Sequence, residues 1–185
     1  MKLAIFTNSI IGVKLAHYLH NHKHSIQYVF TNDMSIAKYF KKTQVISYKE
    51  LQQTHLENID LGVVAVFNII PKHIFETPKY GMINLHYSLL PAYGGPIPLL
   101  WQIHNKEKIT GVTVHFISTK IDGGKIITQK STQLVQNLKK MELILQPIGQ
   151  KSVLEAIEKI KKYGRNTPLI IAKTKESYYG YFGKK

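Results

Sequence analysis

The chain alternates short runs rich in apolar residues with segments whose apolar residues recur at helical intervals. Strands are predicted at the apolar runs, residues 3–6, 25–30, 45–48, 61–67 and 82–86. Helices are predicted between them at 12–19 and 35–42, where apolar residues recur every three or four positions. Residues 61–67 are apolar almost throughout, as is typical of a central strand buried on both faces. This order predicts an α/β protein with a Rossmann-like three-layer α/β/α fold and a mostly parallel central sheet.

The second half of the chain continues the alternation. Its short elements are a helix and two strands, predicted at 99–104, 111–118 and 125–133. Apolar positions at helical spacing then run from 137 to 163, and Pro147 interrupts them. We therefore expect two helical pieces there, with a kink or break at the proline. No interdomain linker or internal repeat is visible, so residues 1–185 are expected to form a single domain.

Composition narrows the class of protein. The chain has 185 residues and no cysteine, which excludes disulfides, cysteine-based metal sites and a thiol nucleophile. No apolar run reaches the roughly 18 residues that a membrane span requires. We therefore expect a soluble, cytoplasmic protein that binds no metal and has no membrane partner.

The formal net charge of +14 is carried almost entirely by lysine. Such a charge favours polyanions or phosphate-bearing substrates. However, Arg165 is the only arginine, so the bidentate contacts that arginine makes with phosphates and guanine edges are scarce. A solvated lysine surface is the favoured interpretation, although the charge leaves a nucleic-acid partner open. Apolar residues in the C-terminal tail likewise leave a homodimer open.

The residues best suited to chemistry lie at the end of the predicted strand 82–86. Successive side chains of a strand point to opposite faces, so Asn84 and His86 share one face. Residues 88–98 are rich in proline and glycine and cannot continue the sheet, so the pair opens onto a shaped loop, where α/β proteins place their ligand sites. An Asp-Gly-Gly turn at Asp122 could add a carboxylate. A lone Asn-x-His pattern also fits a structural polar pair.

Several motifs around these residues follow one another in a fixed order. They are Asn84-Leu-His86, Ser88-Leu-Leu-Pro91, Gly111-Val-Thr-Val-His115 and Asp122-Gly-Gly124. In this order they resemble the folate-dependent formyltransferases, and the resemblance covers roughly residues 60 to 130. It implies that residues 1–185 are a formyltransferase catalytic domain. It also implies that the enzyme moves a formyl group from 10-formyltetrahydrofolate to a primary amine.

The matching positions carry the roles that this chemistry needs. His86 is expected to transfer a proton and to stabilise the developing oxyanion, because imidazole titrates near working pH. Asp122 is expected to orient the His86 ring or a relay water and to raise the His86 pKa. Asn84 is expected to supply a fixed amide donor. Folate-binding positions are expected at Phe67, Ile69, Ile70, Leu89, Leu90, Pro91 and Gly123, although the apolar ones fit a core role equally well. Contacts to the acceptor substrate are expected from Thr7, Asn8, Ser9 and Tyr93.

The acceptor amine is inferred from departures within the family. Relatives that formylate initiator tRNA normally have an additional C-terminal domain, which this chain is expected to lack. Glycinamide ribonucleotide enzymes open with a Gly-Ser-Gly-Ser-Asn type of loop, which the segment from Thr7 to Gly12 does not match. The opening and the tyrosine-rich tail resemble the N-formyltransferases that act on nucleotide-linked amino sugars, so we expect that acceptor class. A glycinamide ribonucleotide or methionyl-tRNA type enzyme, a 10-formyltetrahydrofolate hydrolase and a non-catalytic nucleotide or nucleic-acid binding module remain alternatives.

Overall fold

A computed structural model describes residues 1–40, 43–172 and 174–182. The strands found in these residues are β1 Lys2–Phe6, β2 Ser25–Thr31, β3 Gln44–Ser47, β4 Leu61–Ala65, β5 Met82–His86, β6 Ile109–Phe116 and β7 Ile126–Gln133. The α-helices are α1 Ile10–Asn21, α2 Lys72–Phe75, α3 Pro98–His104 and α4 Leu138–Tyr163. Short 3-10 turns occupy Met34–Tyr39, Tyr48–Glu50, Gln53–Leu56 and Gly164–Asn166.

The strands belong to a sheet in the order β3-β2-β1-β4-β5-β6-β7. Strand β1 pairs in parallel with both β2 and β4, and β2 pairs in parallel with β3. Strands β6 and β7 pair antiparallel. This mostly parallel sheet with its helices confirms the predicted fold class, a Rossmann-like α/β/α fold.

The chain divides into two compact units, Met1–Asn84 and Leu85–Lys185. In the first, β1 is buried from Leu3 to Phe6, and α1 packs against β1 and β4. The first turn of the helix lies close to the residue after β1: a Cβ at Gly12 would lie 2.1 Å from the hydroxyl oxygen of Thr7, so only glycine fits there. The single catalytic domain expected over residues 1–185 stays a prediction.

In the second unit, α4 packs against β6 and β7 and runs unbroken for 26 residues. The predicted break into two helical pieces is therefore wrong, since Pro147 lies inside one helix, and the alternative of a kink there stays a prediction. A proline in a helix removes one backbone hydrogen bond and crowds the preceding turn. Buried residues continue on both sides of it, with Leu145 before it and Val153 after it fully buried. Packing of this continuous apolar face offsets the local cost of the proline.

Smaller differences from the predicted elements have local causes. Strand β4 ends at Ala65 instead of residue 67, because Val66 has a φ of 56°, a left-handed conformation that no strand continues. The helix predicted at 35–42 is a 3-10 turn at Met34–Tyr39, and its last two positions lie outside the described residues. Among the helices that the structure describes, none combines the length and the apolar character needed to span a bilayer.

Candidate active site

His86 ends β5 and is only 6% exposed. Its Nε2 lies 2.9 Å from the carbonyl oxygen of Tyr93. A carbonyl oxygen only accepts hydrogen bonds, so the ring donates from Nε2. The other ring nitrogen, Nδ1, faces Asp122 and lies 3.7 Å from its Oδ1. In the neutral ring, Nδ1 is therefore the nitrogen that can take up a proton.

Asp122 is held at the turn between β6 and β7. Its φ of 49° lies in the left-handed region, which aspartate tolerates better than most residues. Its Oδ2 accepts a hydrogen bond of 2.8 Å from the backbone N–H of Gly95. Its Oδ1 lies 3.7 Å from both His86 Nδ1 and His115 Nε2. The structure thus brings together the imidazole and the carboxylate that the sequence predicted, and adds a second imidazole.

His115 was given no role in the sequence analysis, where it only closed the Gly111 to His115 motif. It lies on β6, is 2% exposed, and its Nδ1 donates to the carbonyl oxygen of Phe116 at 2.9 Å. Alternation along β6 was the signal that could have found it, because His115 shares a strand face with Thr113. The hydroxyl of Thr113 donates to the carbonyl of Ser88 at 2.7 Å, in the loop that follows His86.

Burial decides the protonation of this cluster. Burial lowers the pKa of His86 and outweighs both the charge of Asp122 and the Tyr93 carbonyl, which act in the opposite direction. Asp122 raises the His86 pKa as predicted, but the net direction is downward, because a buried imidazolium loses its hydration. Burial alone would raise the pKa of Asp122, but the interactions with His115, His86 and the Gly95 N–H together lower it to about 2. At neutral pH the pair is a neutral imidazole beside a carboxylate.

The loop after β5 is fixed by side-chain hydrogen bonds. The N–H of Leu90 donates to the Thr113 hydroxyl at 3.1 Å, and Gln129 Nε2 donates to the Leu90 carbonyl at 2.8 Å. The Ser88 hydroxyl donates to the carbonyl of Ala92 at 2.7 Å. These bonds hold the backbone on which the predicted Leu90 and Pro91 positions lie.

A cavity of about 300 Å³ lies beside Asp122 within the second unit. Its lining includes Leu90, Pro91 and Gly123, three of the predicted folate-binding positions. Leu89 instead packs against β6, where a Cβ at Gly111 would lie 2.5 Å from its Cδ2. The size falls at the lower end of the range for small-molecule pockets.

Tyr93 contributes to the site through its backbone. Its side-chain hydroxyl donates to Glu107 and its ring stacks on Tyr179 with centroids 5.0 Å apart. Burial and the Glu107 hydrogen bond raise the pKa of this phenol to about 12. The predicted contact of Tyr93 with the acceptor stays a prediction, and its side chain is engaged within the protein.

The predicted acceptor-binding residues Thr7, Asn8 and Ser9 lie together in the first unit, after β1. Thr7 is fully buried, and its hydroxyl accepts from the N–H of Ser9 at 3.1 Å. The Asn8 side chain donates to Asn68 at 3.0 Å and accepts from the N–H of Asn32 at 2.7 Å. These contacts shape the turn itself, and the substrate-binding role of the three residues stays a prediction.

The remaining predicted positions of the first unit differ in exposure. Phe67 packs edge-on against Phe6 at 5.6 Å between ring centroids. Ile70 is 5% exposed and belongs to the core, whereas Ile69 is 74% exposed. Asn84 is half-buried on β5, on the strand face that alternation assigns to it. Among the described residues, no group of three or more histidine or acidic side chains is arranged to hold a metal ion.

Comparison with protein-family models gives one match, to the family described as formyl transferase, over residues 12–150. A methionyl-tRNA formyltransferase from Thermodesulfovibrio yellowstonii is 43% identical over 102 residues, which cover 54% of this chain and 33% of that protein. Another from Flavobacterium johnsoniae is 32% identical over 141 residues, covering 74% of this chain and 45% of that protein. The chain thus spans less than half the length of these curated relatives.

Solved structures share the fold at lower identity. An N-formyltransferase from Helicobacter canadensis, in complex with folinic acid and dTDP-3-aminofucose, has a TM-score of 0.75 and 24% identity, covering 97% of this chain and 71% of its own. A phosphoribosylglycinamide formyltransferase from Bacillus halodurans has a TM-score of 0.73 and 19% identity, covering 86% of this chain and 95% of its own. These likenesses show the fold.

Proposed function

Because this chain belongs to the formyl transferase family, whose model matches residues 12–150, we propose that it moves a formyl group from 10-formyltetrahydrofolate to a primary amine. The family resemblance drawn from the sequence motifs is thereby confirmed. The observation that carries the proposed activity is the pair formed by buried His86 at the end of β5 and largely buried Asp122 at the turn between β6 and β7, 3.7 Å apart and beside a cavity.

The proposed reaction needs one proton to change place. A bond forms between the amine nitrogen and the formyl carbon, and the bond from that carbon to the folate N10 breaks. The attacking nitrogen loses a proton and N10 gains one. Neutral His86 accepts this proton at Nδ1, since its Nε2 donates to Tyr93, and then delivers it to the leaving nitrogen.

Asp122 supports this proton transfer electrostatically. An imidazolium formed at His86 lies 3.7 Å from the carboxylate, which stabilises the charged ring in a buried site. The Gly95 N–H fixes the carboxylate at 2.8 Å, so little reorganisation accompanies the transfer. Asn84 keeps its predicted role as the amide donor to the formyl oxygen, a role that rests on the sequence motif.

The cavity beside Asp122 has a lining chemically suited to the pterin ring of 10-formyltetrahydrofolate. Its lining includes the apolar residues Leu90, Pro91 and Ile126 and the turn at Gly123 and Gly124, together with the charged residues Lys120, Asp122, Lys125 and Glu176. A flat pterin ring requires apolar walls and backbone hydrogen-bonding groups, which this lining offers. The donor supplies the formyl group, and the chain's own residues orient it and move the proton.

Two acceptor classes compete within this proposal. The sequence motifs favour a nucleotide-linked amino sugar, whereas the curated relatives described above are methionyl-tRNA formyltransferases, one of them 43% identical over 102 residues. The sugar enzymes among the solved structures are under 25% identical and support the fold alone. Sequence similarity therefore favours the methionyl-tRNA acceptor over the amino sugar, and both acceptors are tested. A cytoplasmic location stays a prediction under either acceptor.

The test is the rate of tetrahydrofolate release from 10-formyltetrahydrofolate with methionyl-tRNA, amino-sugar nucleotides, glycinamide ribonucleotide or buffer alone. His86→Asn is run beside the wild type, with His20→Asn as the matched control because His20 is exposed on α1. Amine-dependent release that His86→Asn abolishes and His20→Asn preserves supports the proposal and identifies the acceptor. Release in buffer alone would favour the hydrolase, and nucleic-acid binding without any release would favour the binding module.

A further inference from the structure

Residues 174–182, here called the tail strap, pair with the loop that follows β5. The N–H of Gly94 donates to the Ser177 carbonyl at 2.9 Å, and the N–H of Tyr179 donates to the Gly94 carbonyl at 2.9 Å. The N–H of Ser177 donates to the Pro91 carbonyl at 3.1 Å. The tail strap thus adds a short parallel bridge to the loop.

The same loop carries the backbone groups that orient the active site. The Tyr93 carbonyl accepts from His86 Nε2 at 2.9 Å, and the Gly95 N–H donates to Asp122 Oδ2 at 2.8 Å. The N–H of Tyr93 donates to the Ser177 hydroxyl at 2.9 Å. One residue, Tyr93, therefore connects the tail strap to the ring of His86.

Tyr93 needs this support because its backbone is strained. Its φ of 59° lies in the left-handed region, which costs free energy for a bulky residue unless its surroundings hold it there. The adjoining Gly95 has a φ of 116°, and a Cβ there would lie 2.0 Å from the Tyr179 carbonyl oxygen. The loop and the tail strap are therefore in contact so close that only glycine fits at residue 95.

Aromatic contacts anchor the far end of the tail strap. Trp101 Nε1 donates to the Gly180 carbonyl at 2.7 Å, and the Trp101 ring stacks on Phe182 with centroids 4.1 Å apart. Tyr179 stacks on Tyr93 at 5.0 Å. These contacts help to keep Ser177 in place over the loop.

We propose that Ser177 is a positioning residue of the formyl-transfer site, whose hydroxyl holds the N–H of Tyr93 and so stabilises the left-handed backbone from which the Tyr93 carbonyl orients His86. The inference rests on the proposed function, which supplies the reaction that His86 serves. Loss of the hydroxyl leaves the Tyr93 N–H without its acceptor and loosens the left-handed Tyr93 backbone, while the Gly94 N–H, in the peptide unit of the Tyr93 carbonyl, keeps its bond to the Ser177 carbonyl. Ser177 contacts neither the ring nor the carboxylate in the bonds described; it also lines the cavity beside Asp122, so its effect on kcat is compared with its effect on the donor KM.

The test compares Ser177→Ala with Ser177→Thr, which keeps the hydroxyl, and with Ser131→Ala, an exposed serine on β7 of the same unit. Two quantities are measured on the full chain, the steady-state constants for formyl transfer and the His86 pKa by NMR of labelled histidine. His86→Asn assigns the His86 signal. Thermal unfolding of each variant confirms that it is folded.

Ser177→Ala is expected to lower kcat about tenfold, as the loss of one hydrogen bond allows, with KM for the donor changed less than about twofold. It is also expected to lower the His86 pKa, because the Tyr93 carbonyl raises that pKa in the intact site. Ser177→Thr should restore both values. A Ser177→Ala protein whose kcat and His86 titration match those of Ser131→Ala overturns the inference. Absence of turnover in the wild type would instead overturn the proposed function, and the titration would still test the positioning role.

Discussion

Asp122 lies between two imidazole rings, each tied through its other nitrogen to a backbone carbonyl. His86 donates to Tyr93, and His115 donates to Phe116, so both rings turn their remaining nitrogen toward the same carboxylate oxygen at 3.7 Å. A proton that enters this cluster is therefore held on a nitrogen that faces Asp122. The backbone has fixed both tautomers before any substrate arrives.

The charge of Asp122 is expected to matter more than its shape. Asp122→Asn keeps the side-chain size but removes the charge that stabilises a protonated His86, so kcat/KM should fall by about 10²- to 10³-fold. The His86 pKa should fall further, since Asp122 raises it in the intact site. Formyl-transfer kinetics and histidine NMR check both effects. Glu57→Gln, at an exposed position, is the control. If kcat/KM of Asp122→Asn equalled that of Glu57→Gln, the electrostatic role would be contradicted.

Acid should destabilise the protein partly through Asp122. Its folded-state pKa of about 2 lies below the ordinary 3.8, so its contribution to stability is present above pH 3.8 and is lost as pH falls toward 2. His86 also has a lowered pKa, so its contribution is lost as pH falls below 6.5. Urea unfolding of wild type and Asp122→Asn across pH 2 to 4 checks the carboxylate. If the free energy of unfolding changed equally with pH for the two proteins in that window, the contribution of Asp122 would be refuted.

At the scale of elements, apolar patterning predicted most strands to within two residues, because burial on a sheet imposes that pattern directly. It failed where backbone conformation or packing decided the outcome. Val66 ends β4 through a left-handed φ that no hydrophobic pattern encodes. Pro147 predicts a break in the helix from sequence alone. In the structure α4 continues through it, and the buried apolar face extends on both sides of the proline.

The proline in α4 is expected to lower stability without serving the fold. Pro147 is exposed, so Pro147→Ala should restore a backbone donor without changing the buried face and raise the free energy of unfolding by about 1–3 kcal/mol. Urea denaturation measures the change. Lys151→Ala, at another exposed position of α4, should change the stability by less than about 0.5 kcal/mol. A Pro147→Ala protein no more stable than Lys151→Ala would mean that the proline has a structural role.

At the scale of the molecule, the site was predictable only in part. His86 and Asp122 were found because both belong to short motifs of the resembling family. Ser177 was not, because it meets Tyr93 across 84 residues of chain and such a contact leaves no local pattern. The neutral state of His86 was also missed, since burial depends on the whole fold and the sequence shows only the neighbouring carboxylate.

The net charge of +14 gives a whole-molecule test of the acceptor. A methionyl-tRNA acceptor carries many phosphates, so its KM should rise steeply between about 50 and 200 mM salt as counterion release weakens binding. A nucleotide-linked amino sugar carries few charges, and its KM should change little. Steady-state kinetics at these salt concentrations, with the donor saturating, separate the two. A flat KM for methionyl-tRNA would mean that the lysine surface does not contact the nucleic acid.

The pairing of Ser177 with the loop at Tyr93 also sets an order of events during synthesis. His86 and Asp122 leave the ribosome long before residues 174–182, because the chain emerges from its N-terminus. A nascent chain interrupted before Thr174 would contain both proton-handling groups but not the hydroxyl that holds the Tyr93 peptide. The proposed site would therefore be complete only after residues 174–182 have left the ribosome and docked on the loop.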